Sequence, residues 1–299
     1  MGKRSFRSDF LDELIESNTE TKIFDQQIRK YNNILTNHIF LKKSDKKIGK
    51  PIGDYFSILF DTLHDKNNKE NLEKIIAKNL HYLFKKYQIN LDSKVLVVGM
   101  GNQNITPDAL GPQTIRKLVV TNHLFINNQI EDNNNVRRVS ALLPGVMGTT
   151  GMETSDIVLG VSNKFKPDLV ICIDALATKS VTRVNKAIQI SDTGISPGSG
   201  IGNHRKRIDK KTLKCPVITI GVATVVDSLS MFYEFIDMVN EVLNVKLTSS
   251  KIKKINETLI GREMHLIVTP KEIDEDIFNL SEVISNALNL ALHNNFNNI

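Results

Sequence analysis

The stretch KVLVVGMGNQNITPDALGP, residues 94–112, carries the reading of the fold. Its first six residues are mostly apolar and β-branched, and they run without polar alternation into glycines. A strand buried on both faces reads this way. The segment after it, Pro107 to Leu118, reads as helical. The same rhythm recurs along the chain: Ser155 to Ser162 as helix before a strand-like Asp168 to Ile173, then Val217 to Gly221 before a helical Val225 to Leu243. Leu266 to Thr269 reads as one more strand before a last helix over about 271–293, whose start, Thr269, Pro270, Lys271, Glu272, has an N-cap and first-turn proline signature. Alternation of this kind predicts βαβ units, and hence an α/β three-layer sandwich around a mainly parallel sheet.

The first 90 residues are more polar, with a strand expected over Ile34 to Lys42 and an amphipathic helix over Lys69 to Tyr87. They read as an elaborated N-terminal edge on a single folding unit, because no repeat and no long linker divides the chain. Charged residues Arg4, Arg7, Asp9 and Asp12 stand where a signal peptide would have its apolar region. The longest apolar runs, Val95 to Met100 and Leu169 to Ala177, fall far short of the roughly 20 residues of a membrane span. A cytoplasmic protein without a membrane partner is expected. The two cysteines, Cys172 and Cys215, lie in or beside strand-like runs and read as buried free thiols. The formal charge of +6 is scattered, as in Lys42, Lys43, Lys46, Lys47 and Lys50, which suits a solvated face better than a nucleic-acid stripe.

In open α/β sheets, chemistry gathers outside the carboxyl ends of the strands. Three loops qualify: Met100 to Asp108, Asp174 to Thr178, and Gly221 to Thr224. Asp108, behind Thr106 as an expected N-cap, would sit in a helix first turn, where the positive helix end favours its ionised form. Asp174 ends the run Leu169 to Ile173 and must be paired or hydrogen-bonded there. The alternative reading is an ordinary first-turn Asp at 108 and a helix cap at 174. Two carboxyls at neighbouring strand ends can share a proton, one activating water while the other polarises a carbonyl or protonates the leaving amine. Sequence leaves open which is base and which is acid.

Rival motifs fail on chemistry. Gly194-Ile195-Ser196-Pro197-Gly198 matches a serine nucleophile elbow, but Pro197 has no N–H for an oxyanion hole. Gly99-Met100-Gly101 lacks the third glycine of a dinucleotide fingerprint. No histidine pair has metal-ligand spacing and there is no CxxC, so neither metal nor cofactor is expected. A metal gathered by carboxylates such as Asp108, Asp174 and Glu153 is the runner-up, and a non-catalytic basic binding protein is the alternative outside enzymes. The glycine-rich stretch Asp192 to Asn203, followed by His204, Arg205, Lys206 and Arg207, reads as a basic loop able to clamp an extended substrate.

Several long segments resemble the germination protease family: VVGMGNQNITPDALGP (97–112), PGVMGTTGMETSDI (144–157), KPDLVICIDALA (166–177), IQISDTGISPGSGIGNHRK (188–206), TIGVATVVD (219–227) and IVTPKEID (267–274). The resemblance implies an atypical aspartic-type endopeptidase that degrades small acid-soluble DNA-binding proteins when spores germinate. It places catalysis on Asp108 and Asp174, the residues that the strand-end rule selects. It implies a fold similar to hydrogenase maturation peptidases, a homotetramer, and a zymogen in the spore core or forespore. Arg7-Ser8-Asp9-Phe10 stands where the family is processed, so residues 1–9 are expected as a propeptide, cut between Asp9 and Phe10, and 10–299 as the peptidase domain. Asn102, Asn104, Gly148, Thr150, Glu153, Asp192, Gly198 and Gly200, all within the matching segments, are the expected substrate-binding residues. The first 90 residues match the family loosely, and about 245–263 is shorter than its counterpart.

Overall fold

The computed structural model describes residues 8–16, 23–130, 136–198, 205–244 and 266–294, with scattered positions between 248 and 258. A nine-stranded sheet forms the centre: β1 (Phe24–Tyr31), β2 (Ile34–Leu41), β3 (Gly53–Leu59), β4 (Lys94–Gly99), β5 (Arg138–Leu142), β6 (Leu169–Thr178), β7 (Ala187–Ser191), β8 (Val217–Asp227) and β9 (Ile267–Val268). The spatial order is β1-β2-β3-β7-β8-β6-β4-β5, with β9 added beside β8. Helices α1 (Leu11–Glu16), α2 (Lys66–Lys86), α3 (Leu110–Lys117), α4 (Asn122–Ile126), α5 (Met147–Thr150), α6 (Thr154–Phe165), α7 (Lys210–Leu213), α8 (Ser228–Leu243) and α9 (Ile273–Leu292) accompany it.

The α/β class and the strand-helix rhythm after residue 94 hold, but the sheet is mixed. Parallel pairing is confined to β5, β4, β6 and β8, whereas β1, β2, β3, β7 and β9 pair antiparallel. The N-terminal edge is a β-meander continuous with the main sheet through β3 and β7. Only the β2 part of that meander showed in the sequence, because β1 (FDQQIRKY) lies exposed along nearly its whole length and lacks an apolar face.

Alternation assigns the two faces. Val95, Val97, Leu169, Ile171, Ile173, Ile218 and Ile220 point into the larger core, where α2, α3 and α9 pack. Leu96, Val98, Val170, Cys172 and Val217 point to a smaller core with Val158 of α6 and Leu213 of α7. Cys172 and Cys215 are free and buried there, and burial pushes both thiols up, Cys215 to about 11. The last helix begins at Ile273, without a side-chain cap; Thr269, expected as its N-cap, instead donates its hydroxyl to the Thr224 carbonyl (2.9 Å) and ties β9 to β8. No described helix is long and apolar enough to cross a membrane.

Candidate active site

β6 and β8 outrun their neighbours. β4 pairs with β6 as far as Ile173, yet β6 and β8 stay paired to Thr178 and Val226, with a register shift after Leu176. The segments expected as loops, Asp174 to Thr178 and Gly221 to Thr224, are therefore strand, and Asp174 caps no helix. It shares the face of Val170 and Cys172, past the end of the smaller core, and its carboxylate accepts the Ala175 N–H (3.0 Å).

Asp108 arrives from the loop after β4. Thr106–Asp108 forms a 3-10 turn entered at Ile105 without a side-chain cap, so Thr106 is not the expected N-cap and Asp108 precedes α3 instead of lying in its first turn. Its Oδ2 accepts the Asn102 N–H (2.7 Å). Gly101, at φ +107°, lets the loop close: a Cβ there would lie 2.0 Å from the Asp108 carbonyl oxygen. Gly101→Ala is accordingly expected to displace Asp108 and lower kcat/KM about 10²-fold, since catalytic geometry tolerates little displacement. Steady-state kinetics beside circular dichroism would check it: an unaltered rate would mean that the turn is not what holds the carboxylate.

Both carboxyls line one cavity of about 230 Å³, with Asp9, Ile105, Leu176, Ser196 and Gly198 among its walls. Burial raises Asp108 above its ordinary value, opposed by the Asn102 N–H. Burial also raises Asp174, to well above its own, and the negative charges of Asp108 and then Asp9 push it further. The expectation that a helix end would favour ionised Asp108 is thus reversed, because removal from water outweighs the single N–H. Two carboxyls with raised and unequal proton affinity in one apolar hollow suit acid/base chemistry.

The other expected site residues scatter. Asn102 acts through its backbone N–H, and its side chain accepts from the Asn104 N–H (3.0 Å). Gly148 and Thr150 are exposed on α5, Glu153 precedes α6, and none of the three lines the cavity. The Asp192 carboxylate is enclosed away from the cleft, accepting from the Asp54 N–H (2.8 Å), Lys86 Nζ (2.5 Å) and Tyr87 hydroxyl (2.9 Å); it anchors the loop that follows. Gly200 and Arg7 fall outside the described residues. Arg207 donates to the carbonyls of Thr193 (2.6 Å) and Gly194 (3.0 Å), so it fastens the basic loop at its root. Lys50, expected on a solvated face, instead turns inward and donates Nζ to the Asp9 carbonyl oxygen (2.8 Å), and Gln189, unmarked in the sequence except as a polar residue between Ile188 and Ile190, donates Nε2 to the same oxygen (3.0 Å).

Comparison with protein families matches residues 9–251 to the family described as germination protease. The chain belongs to this family. Germination proteases of Oceanobacillus iheyensis, Clostridium tetani and Caldanaerobacter subterraneus subsp. tengcongensis are 41%, 42% and 43% identical to it. The alignments cover 84%, 85% and 84% of this chain and 81%, 83% and 82% of those proteins. Membership makes the chain a peptidase with a role in germination. The family match takes in nearly all of the first 90 residues, which read as only loosely similar, and stops short of 267–274.

Proposed function

We propose that the chain is an endopeptidase that cleaves small acid-soluble DNA-binding spore proteins, with Asp108 and Asp174 sharing one proton. The observation that carries this reading is an apolar cavity that both carboxyls line, with burial and then the charge of Asp108 raising the proton affinity of Asp174. Asp174, enclosed and flanked by Asp108 and Asp9, is the protonated acid. Asp108, steadied by the Asn102 N–H, is the ionised base that takes a proton from water. The fold around the pair is read as akin to that of hydrogenase maturation peptidases.

Residues 1–9 are read as a propeptide. Asp9 lines the aspartates' cavity, which supports a zymogen whose own Asp9–Phe10 bond is the first cut. Met231, Phe235, Met238 and Val242 expose an apolar side of α8, which supports burial in a homotetramer. The spore core or forespore cytoplasm is the compartment where such substrates lie.

Mass spectrometry of an acid-soluble spore protein incubated with the chain beginning at Phe10 tests the reading. Discrete fragments are expected, insensitive to chelator. Fragments lost on chelation would point to a metal-dependent peptidase, and an intact substrate bound in a salt-dependent way would point to a binding protein.

A further inference from the structure

The segment from Ser8 to Glu13 is built into the cleft. Phe10 is fully buried against Leu176, Ala187 and Ala223, with the Arg183 guanidinium 4.8 Å over its ring. Ala177 exchanges two bonds with Asp9: it accepts the Asp9 N–H (3.0 Å), and its own N–H donates to the Asp9 carboxylate (3.0 Å). Gln189 reads backbone on both sides of Phe10, donating Nε2 to the Asp9 carbonyl oxygen (3.0 Å) and accepting the Leu11 N–H at Oε1 (2.8 Å). The same Asp9 oxygen accepts a second bond from Lys50 Nζ (2.8 Å).

That oxygen belongs to the Asp9–Phe10 peptide bond, and Asp9 separates two hollows. On one side is the aspartates' cavity; on the other is a hollow of about 390 Å³ lined by Lys50, Tyr55, Gln189, Thr219 and Arg207. Leu176, Ile195 and Ser196 wall both. Sheet register explains how they come together. Gln189 pairs with Gly221, and Gly221 pairs with Asp174, so amide and carboxyl stand on the same face with a residue lacking a side chain between them. A Cβ on Gly221 would lie 2.2 Å from Leu176 Cδ1, so the glycine also lets Leu176 settle between the two hollows.

We propose that Lys50 and Gln189 are the oxyanion-binding pair of this peptidase: they hold the carbonyl oxygen of the bond presented to the aspartates, here the chain's own Asp9–Phe10 bond. The inference rests on the reading of Asp108 and Asp174 as the acid/base pair. Water adds to the Asp9 carbonyl carbon as ionised Asp108 takes its proton, and the carbonyl π electrons move onto the oxygen. The Lys50 ammonium and the Gln189 N–H are already in place for that charge, and preorganised donors stabilise a developing oxyanion far more than groups that must reorient. Collapse breaks the C–N bond, the Phe10 nitrogen takes the Asp174 proton, and a carboxylic acid and an amine result, with one proton still on the pair. Burial lowers the Lys50 ammonium, partly opposed by the charge of Asp9, so a group becoming negative beside it is a favourable partner.

The test uses the full-length chain as parent and as Lys50→Met, Lys50→Arg, Gln189→Leu and Asp174→Asn variants. Mass spectrometry follows the appearance of the Phe10 N-terminus, and hydrogen exchange follows the protection of residues 9–14. Lys50→Met and Gln189→Leu are each expected to slow the cut about 10²-fold or more. Protection of the segment should stay within twofold of the parent, and Lys50→Arg should recover most of the rate. Protection lost in step with the rate would overturn the inference, because the pair would then only dock the segment. So would an unchanged rate, or a parent that never cuts this bond. Cutting that survives Asp174→Asn would instead sink the underlying acid/base reading, whereas cutting that stops with Asp174→Asn but not with Lys50→Met sinks the carbonyl pair alone.

Discussion

Asp174→Asn is expected to lower the rate of peptide cleavage by about 10⁴-fold while raising the melting temperature at neutral pH. On the proposed roles the rate falls because an amide cannot donate a proton to the leaving amine, and Asp108→Asn should fall as far through loss of the base. The stability change follows from the sign of the shift. Burial, together with the charges of Asp108 and Asp9, raises the folded-state proton affinity of Asp174 well above its ordinary value. Its contribution to stability is therefore intact below the ordinary carboxylate range, near pH 4, and is lost as pH rises through the raised value. Asparagine carries no such loss. The gain in Tm should be absent near pH 3 and grow toward pH 8 when the two proteins are melted side by side. An Asp174→Asn protein no more stable than the parent at pH 8 would mean that the carboxyl is not held in the enclosed, like-charged setting described here.

The same shifts fix the shape of the activity profile. On the proposed roles, both carboxyls are protonated and no base remains below the Asp108 value, and both are ionised and no acid remains above the Asp174 value. Since Asp108 is raised above its ordinary value and Asp174 well above its own, kcat/KM should describe a bell displaced from the acidic side toward neutrality. Measured between pH 4 and 10, a profile with full activity at the acidic end would contradict the raised Asp108.

What could be read in the sequence divides by physical cause. Strands buried on both faces, such as Leu169 to Ile173, announce themselves by unbroken apolar runs, and the strand-end rule then leads to Asp108 and Asp174. The end of a strand is less legible. Asp174 reads as a tip because a carboxyl interrupts the run Leu169 to Ile173, yet β6 continues because β8 offers a partner up to Val226. The local setting of Asp108 misled in the same way: Thr-Pro-Asp is a good helix entrance in isolation, but the loop folds back through Gly101 and the turn becomes a 3-10 entry. The donors on the Asp9 carbonyl come from positions 50 and 189, on separate elements, and no spacing rule links them. Asp192 reads as a substrate residue because it lies in a family-like segment; its carboxylate faces the other way because Lys86, Tyr87 and the Asp54 N–H all converge on it.

That convergence leads to the second large expected effect, loss of stability and activity in Lys86→Met. Lys86 Nζ bridges Asp54 Oδ2 (2.6 Å) and Asp192 Oδ2 (2.5 Å), two carboxylates whose side chains are 3% and 2% exposed. His38 Nε2 lies 2.6 Å from the other Asp54 oxygen. Gly53 makes the approach possible, since a Cβ there would lie 2.4 Å from Asp192 Oδ1. Burial by itself would raise Asp54, but the bonds from His38 and Lys86 outweigh it and hold the group below its ordinary value. Removing the ammonium leaves two like charges close together with little water to screen them. Stripping a buried pair of its partner costs about 3–5 kcal/mol, and since a third of the Lys86 side chain is exposed, about 2–3 kcal/mol is the expected loss in urea unfolding at pH 7. A depressed Asp54 contributes its stability above the unfolded-state carboxylate range and loses it as pH falls through the folded value. The difference between parent and variant should accordingly shrink toward pH 3. Function should follow, because Asp192 anchors the loop whose next residues, Thr193 to Ser196, wall the cleft. Adding Asp54→Asn to Lys86→Met removes one of the stranded charges and should restore part of the stability, whereas Lys85→Met, one residue away and exposed, should be nearly neutral. Equal, small losses in the Lys86 and Lys85 variants would show that the two carboxylates find water once the lysine is gone, and that the loop is held by its backbone and Arg207 instead.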